Sequence, residues 1–437
     1  MLCATCTTLR SNACAGRQPA AAWPRPMVSN AAWNALKGYT EACCADAVCV
    51  RTEHAGGKQS MNSGPVSVAC AQGSHGGDVV RLAARLGISP TDILDFSSNA
   101  NSLCDDLTRQ VLAQTGYAHS HYPDSECTGL RHRIAGFEET QPERILAGNG
   151  SSELIYLAMH SLKPRRVLLI APVFSEYVRA CQACGADYRL FETDPYDGFD
   201  IPERHICRLH DAVTAYRPDM AVICAPSNPA CTDYSRMDDI LYALDCPHVL
   251  VDNSYLDFLW GTPAYSRHGM AAYAGCTRTE TKVISLRSMT KFFYCTGVRL
   301  GYCHADEQTI ERMNRCKTPW SVWHAAQQAG MAFLDRMDEY RLRLPAMRAE
   351  KTAFAGALRN TGIFDNNLVL EGANFVTARL QRPAKAATVY TELLQHGILV
   401  RLCDNIPGMP QGFIRMQVRE KKAWSRLTAI LGTLDAE

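Results

Sequence analysis

No run of about 18 consecutive apolar residues occurs in this chain of 437 residues, so no membrane-spanning helix is expected. An excess of charge is also missing. The 45 Lys and Arg are matched by 44 Asp and Glu, which argues against a nucleic-acid or polyanion-binding surface and leaves room for a local basic pocket. Acidic residues are absent before Glu41, and the same stretch lacks the apolar centre of a secretory signal. With Arg10, Arg17 and Arg25 among frequent Ala, Ser, Thr and Cys, residues 1–70 read as a disordered extension, a transit-like leader, or translation begun upstream of the true start. Met27 and Met61 are internal candidates for that start. Cysteine is plentiful, 20 in all, but a metal-ligand pattern is lacking. The pairs Cys3/Cys6 and Cys181/Cys184 have neither a matching second pair nor spaced histidines, so no metal is expected. Reduced cysteines serving as small hydrophobes in a cytoplasmic protein remain.

What is present is regular patterning from His75 onward. Val79 to Leu86 reads as an amphipathic helix, closed by Gly87 and followed by Pro90. Between about residues 144 and 305, short apolar runs alternate with helical stretches. Val167–Ile170, Met220–Cys224, Val249–Val251 and Val283–Ser285 are strand-like, and continuous apolar runs of this length suit strands buried on both faces. Helices between them imply parallel crossovers and a doubly wound α/β domain. From about residue 320 the chain reads as long helices. The strand-like Asn374–Arg379, Gly397–Arg401 and Gly412–Val418 follow, making a smaller α+β domain. The expected division is a large domain over residues 119–325 and a small domain formed by 75–118 with 326–437.

In such a sheet a ligand lies beyond the carboxyl ends of the strands. The residues following each apolar run are therefore the candidates. Gly148-Asn-Gly-Ser-Ser-Glu153 opens a helix, so Gly150, Ser151 and Ser152 can offer backbone N–H groups and hydroxyls to an anion. Phe174, preferred to Tyr177, can stack on an aromatic ligand. Asn228 can donate a hydrogen bond to a phenolic oxygen, and Tyr255 can share that oxygen. Asp252 can keep a pyridine nitrogen protonated. Last come Ser288-Met-Thr-Lys291 and, eight residues on, Arg299. The Lys291 amine can form a Schiff base with an aldehyde, while Ser288 and Arg299 hold a phosphate. Taken singly, each of these is an ordinary cap, turn or core residue. Their conjunction, in this order at five successive strand ends, points to pyridoxal 5′-phosphate.

These residues resemble the fold-type I pyridoxal-phosphate enzymes of the aminotransferase class I/II family, over about residues 75–425. The resemblance implies a large domain with a mostly parallel doubly wound sheet and a smaller α+β domain. It also implies a homodimer, in which Tyr122 reaches the neighbouring subunit's cofactor phosphate. Within the family the sequence is similar to the threonine-phosphate decarboxylases of cobalamin biosynthesis, relatives of the histidinol-phosphate aminotransferases. His75-Gly-Gly-Asp78, Leu94–Asn99, Pro172–Tyr177, Pro319-Trp-Ser-Val322 and Phe413–Arg419 carry that likeness. It implies substrate contacts at His75, Gly76, Asn99, Asn228, Arg401 and Arg415. Arg415 is assigned to a carboxylate, and His75 with Arg401 to a phosphate, because guanidinium forks suit both anions. The substrate is then a small phosphorylated amino acid, L-threonine O-3-phosphate, which decarboxylation converts to 1-aminopropan-2-ol phosphate. Serine phosphate, or transamination of the histidinol-phosphate type, are the alternatives. Which bond breaks depends on which one the anion clamps hold perpendicular to the cofactor ring.

The sequence departs from the family pattern at several points. Asn228-Pro-Ala-Cys231 replaces Asn-Pro-Thr-Gly, and Asp252-Asn-Ser-Tyr255 replaces Asp-Glu-Ala-Tyr. Asn99-Ala-Asn-Ser-Leu-Cys104 lacks the usual proline and glycine, and Trp323 stands where asparagine is usual. These departures are expected to border the substrate.

Overall fold

The computed structural model describes residues 75–115, 120–273, 275–278 and 280–434, so the expectations for residues 1–70 lie outside the described residues. Helix α1 (Val79–Leu86) has the predicted bounds, and Gly87 ends it in the left-handed conformation, at φ 67°. A short strand β1 (Leu94–Asp95) and helices α2 (Asp105–Gln114) and α3 (Thr128–Phe137) lead into the main sheet.

That sheet is built from β2 (Ile145–Asn149), helix α4 (Gly150–Leu162), β3 (Arg166–Ala171), helix α5 (Ser175–Cys184) and β4 (Asp187–Glu192). The chain continues through α6 (Glu203–Tyr216), β5 (Met220–Cys224), α7 (Met237–Ala243), β6 (His248–Asp252), β7 (Lys282–Ser288) and β8 (Leu300–His304). The seven strands lie in the order β2-β8-β7-β6-β5-β3-β4. Only β8 runs against its neighbours, pairing antiparallel with both β2 and β7.

The apolar runs are continuous because alternate residues feed two different cores. Val167, Leu169, Val222, Leu250 and Ile284 pack on one face with Leu154, Ile155 and Tyr177, from α4 and α5. Leu168, Ile170, Ala221, Ile223, Val249 and Val251 pack on the other with Leu209, Val213, Ile240 and Leu241, from α6 and α7. Each such aliphatic side chain contributes about 1.5–3 kcal/mol by leaving water. A polar residue on either face would forfeit that gain, so no period-2 alternation of polarity survives in the sequence.

The rest of the chain forms α8 (Glu307–Cys316), α9 (His324–Asp335), α10 (Leu344–Arg359), β9 (Phe364–Glu371), β10 (Phe375–Leu380), α11 (Ala386–Gln395), β11 (Ile398–Leu399), β12 (Arg401–Leu402), β13 (Phe413–Gln417) and α12 (Lys421–Leu431). Strands β12-β13-β10-β9 make an antiparallel sheet. Its apolar face packs with α1, α10, α11 and α12 in a core of its own, through Leu82, Phe354, Val389 and Leu427. The parallel pair β1–β11 ties the amino-terminal segment to this unit, Leu94 facing Ile398. Beyond it, the Phe96 N–H donates to the Leu399 carbonyl at 2.7 Å and the Gln417 N–H donates to the Phe96 carbonyl at 2.7 Å. These bonds hold Phe96 between β11 and β13, beside the strands that carry two arginines.

Candidate active site

The carboxyl ends of the parallel strands and the neighbouring small sheet enclose a cavity of about 320 Å³. Lys291, Ser151, Ser152, Phe174, Asn228, Asp252, Tyr255, Ser288, Arg299, His75, Gly76, Arg401 and Arg415 all line it. Three predicted residues do not. Gly150 lies just behind the wall, where a Cβ would come within 2.5 Å of the Arg299 guanidinium. Asn99 is buried one layer back, its amide nitrogen 3.5 Å from the Tyr255 hydroxyl. Tyr122 is 80 % exposed and stacks on Trp320, away from the cavity of its own chain.

Lys291 follows directly on β7, in a short helix over Met289–Phe292. Burial, reinforced by the charges of Arg415 and Arg299, pushes its pKa down to about 8. The amine is thus available as a neutral nucleophile near physiological pH. Asp252, the last residue of β6, is fully enclosed, and burial raises its pKa. Hydrogen bonds from Ser254, through its side chain and its backbone, and from Tyr177 restrain that rise. The Ser254 N–H reaches Oδ1 and the Tyr177 hydroxyl reaches Oδ2, each at 2.9 Å. Among the described residues no cation pairs with this carboxylate, so a buried acceptor faces the cavity without a counter-charge.

At the other end, Gly150 adopts φ 74° and opens α4, with Ser151 and Ser152 in the first turn. The Ser288 and Thr290 hydroxyls share a hydrogen bond at 2.9 Å, and Arg299 is braced by the Thr296 carbonyl at 3.1 Å. A helix start, four hydroxyls and a guanidinium form a cradle for a phosphate. The unpaired acid of Asp252, this cradle and the nucleophilic amine between them fit pyridoxal phosphate: Asp252 would face its ring nitrogen, and Ser151, Ser152, Ser288 and Arg299 its phosphate.

The wall formed by the small sheet is cationic. Arg401 and Arg415 face each other across the β12–β13 pair, and they are only 4 % and 6 % exposed. Arg415 is held by two neutral acceptors, Asn228 Oδ1 and the Ser97 carbonyl at 2.7 Å. Asn228 in turn donates to the Tyr255 hydroxyl at 3.3 Å, so its amide is oriented from both sides. Burial brings Arg401 down to about 10, with the Arg415 charge adding to the fall. Like charges directly opposite on paired strands are destabilising, and a buried cation pair is tolerable where an anion belongs. Gly76 closes this end, because a Cβ there would overlap the Ser97 carbonyl oxygen.

Sequence reasoning missed Tyr177 as a support of Asp252. Phe174 does line the cavity, tilted against His75 at 5.6 Å between ring centroids, whereas Tyr177 lies beneath the floor. Phe174 precedes the first residue of α5 with its backbone outside the helical conformation, whereas Tyr177 lies within the helix. Glu176, Ser97, Ser98, Cys224 and Thr290 also line the cavity and were not foreseen. Of the departures from the family pattern, Ser254 lines the cavity. Cys231 points to the Pro229 and Leu370 carbonyls, Asn253 to the Ala225 carbonyl and the Tyr273 hydroxyl, and Cys104 into a helical core, while Trp323 donates to the Val298 carbonyl. Side chains alternate across a strand end, so Asn253 turns its back on Asp252.

The profile of the family "Aminotransferase class I and II" matches residues 91–428. Threonine-phosphate decarboxylase of Salmonella typhimurium is 30% identical over 370 residues, which is 82% of this chain and 95% of that protein. Histidinol-phosphate aminotransferase of Roseiflexus castenholzii is 29% identical over 339 residues, 75% of this chain and 86% of that one. In fold, the crystal structure of the histidinol-phosphate aminotransferase from Clostridium acetobutylicum superposes with a TM-score of 0.64 at 22% identity, covering 78% of this chain and 99% of that one. The chain therefore belongs to the aminotransferase class I and II family of pyridoxal 5′-phosphate enzymes, with their fold-type I architecture.

Proposed function

We propose that the protein decarboxylates a small phosphorylated amino acid, L-threonine O-3-phosphate, releasing carbon dioxide and 1-aminopropan-2-ol phosphate for cobalamin synthesis. One observation carries this reading: two buried arginines, Arg401 and Arg415, stand opposite each other on the cavity wall across from Lys291. A substrate with a carboxylate at one end and a phosphate at the other would place an anion on each. The identity to the Salmonella decarboxylase supports the same substrate.

Pyridoxal phosphate supplies an electron sink for the pair left behind when a bond to the substrate Cα breaks. The chain's own residues do the rest. Asp252 presents the negative charge that keeps the ring nitrogen protonated. Arg415, held by Asn228 and Ser97, grips the substrate carboxylate, and Arg401 with His75 grips the phosphate. Holding both ends fixes which bond stands perpendicular to the ring. Lys291, with its pKa pushed down to about 8, can give or take a proton at Cα near neutral pH. In decarboxylation it delivers the proton that replaces the departing carboxylate.

The active unit is proposed to be a homodimer, in which the exposed Tyr122, stacked on Trp320, is the residue that the family resemblance places at the neighbouring subunit's cofactor phosphate. A cytoplasmic location is supported by the thirteen cysteines among the described residues, all of them free thiols. The chain is best treated as two units: one centred on the seven-stranded sheet, the other on the four-stranded sheet that supplies Arg401 and Arg415. The experiment is an incubation of the holoenzyme with O-phospho-L-threonine, trapping carbon dioxide and weighing the product by mass spectrometry. Release of a keto acid with conversion of the cofactor to its amine form would make the protein an aminotransferase instead.

A further inference from the structure

One charged group in the cavity wall sits where an anion-binding site should not want it. Glu176, in the first turn of α5, is a carboxylate only 8 % exposed, lining the same cavity as Arg401. It accepts from three donors: the Tyr156 hydroxyl at 2.9 Å, Arg179 at 2.9 Å, and Nε2 of His75 at 2.9 Å. His75 is therefore the cavity-lining group that this carboxylate orients. Its Nδ1 has no hydrogen-bond partner among the described residues, and its ring leans on Phe174.

The chemistry of imidazole makes this arrangement directional. A nitrogen facing a carboxylate must carry a proton, so Nε2 is the donor toward Glu176. In the neutral ring the other nitrogen, Nδ1, then bears a lone pair and can only accept. A phosphate dianion also only accepts. His75 can thus hold a phosphate through Nδ1 in one form alone, the imidazolium with both nitrogens protonated.

We propose that Glu176 is the positioning residue of the phosphate end: it fixes the His75 tautomer so that gripping the anion requires uptake of one proton at Nδ1, and it supplies the counter-charge that makes the resulting imidazolium tolerable. The inference rests on the reading that His75 and Arg401 take the substrate phosphate. The groups that face His75 are Glu176, Arg179 and Arg401. Burial lowers the His75 pKa from its ordinary 6.5, Glu176 pulling against the fall and Arg401 and Arg179 adding to it. The free enzyme accordingly holds the ring neutral near pH 7 and must take the proton up as the anion arrives. By linkage, anion affinity weakens as pH rises above that lowered value, by up to about tenfold per unit.

The test uses sulfate, a dianion that does not titrate in the neutral range, so that the substrate's own phosphate titration does not enter. Its dissociation constant from the holoenzyme is measured by calorimetry between about pH 6 and about pH 8. In the unaltered protein the constant rises at least about fivefold across that range. In Glu176→Gln the amide can donate to Nε2, which leaves Nδ1–H on a neutral ring, and the change shrinks to less than about twofold. The variant's KM for the amino-acid substrate loses its added pH dependence while kcat stays within about threefold, because Glu176 is not at the reacting atoms. A merely structural role would move kcat and thermal stability and leave the slope of sulfate binding alone. Sulfate binding with a flat pH profile in the unaltered protein, or a full slope retained in Glu176→Gln, overturns the proposal. Sulfate failing to bind at any pH overturns the phosphate-site reading beneath it as well.

Discussion

Replacing Tyr177 with phenylalanine removes a single oxygen, and that oxygen donates one of the hydrogen bonds that Asp252 accepts. The ring itself packs in the core beneath the sheet with Leu169, Val222 and Leu250, and phenylalanine preserves that packing. The void left is smaller than a methyl group, so the packing cost stays below about 1 kcal/mol. The electrostatic cost is larger. A hydrogen bond to a charged group is worth about 1.5–3 kcal/mol. In the apoenzyme burial already raises the Asp252 pKa and removal of a donor raises it further, which eases part of that loss. With cofactor bound Asp252 must remain a carboxylate to pair with a protonated ring nitrogen. The loss therefore falls on cofactor affinity. The Tyr177→Phe protein should bind pyridoxal phosphate about 10- to 100-fold more weakly at neutral pH, while the melting temperature of its apo form moves by only a few degrees.

Equilibrium dialysis of the apoenzyme against pyridoxal phosphate reads the first quantity, and calorimetric unfolding reads the second. Unchanged cofactor affinity in Tyr177→Phe, or an equal destabilisation of the apo and holo forms, would refute the account of Asp252.

Four further outcomes follow from the same geometry. In Lys291→Ala the borohydride-reducible attachment of the cofactor disappears by peptide mass mapping, and kcat falls by at least about a thousandfold. The depressed pKa of Lys291, about 8 against an ordinary 10.5, means that the unfolded chain binds more protons over that interval. The apoenzyme should therefore gain stability to urea as pH rises from about 8, and unchanged midpoints there would contradict the burial assigned to this amine. Arg415→Lys keeps the charge but loses the fork that meets Asn228 and Ser97, and should raise KM about 10- to 100-fold in steady-state assays. Arg287→Met, on β7, removes the cationic partner of Asp257 (2.7 Å) and the more distant cation beside Glu138 (3.6 Å), and should cost about 3–5 kcal/mol in denaturant unfolding.

What the sequence disclosed was local. Helix α1 with its Gly87 stop, and the apolar strands β3, β5, β6 and β7, could be read because each is set by residues within a few positions. The strand-end residues were equally plain, since in a parallel sheet every strand delivers its next residue to the same edge. The reversed direction of β8 was not visible. An apolar run of five residues looks the same whichever way it is paired. Nor was the apposition of Arg401 and Arg415 visible, because it depends on the register of β12 against β13. The contact between Arg415 and the Ser97 carbonyl spans 318 residues of chain. The choice of Phe174 over Tyr177 concerned two rings on one short segment. The point at which the chain enters α5, between Phe174 and Ser175, decides which ring lines the cavity and which passes beneath it, and composition cannot tell them apart.

The departures from the family pattern carry a different lesson once their positions are known. Cys231 stands where a glycine is usual, and its backbone keeps the left-handed conformation that favours glycine, at φ 73°. A non-glycine residue there costs about 1–2 kcal/mol. Its side chain turns into the protein toward the Pro229 and Leu370 carbonyls, at 3.5 and 3.6 Å. The chain has thus kept the turn that follows Asn228 while losing the residue that makes it easy. The benefit of keeping it lies at Asn228, which must hold its amide oxygen toward Arg415 and its nitrogen toward Tyr255. Asn99 is likewise held at φ 55° while buried, beside Tyr255. Strain persists where surrounding contacts over-determine it. Here those contacts converge on the arginine proposed to hold the carboxylate.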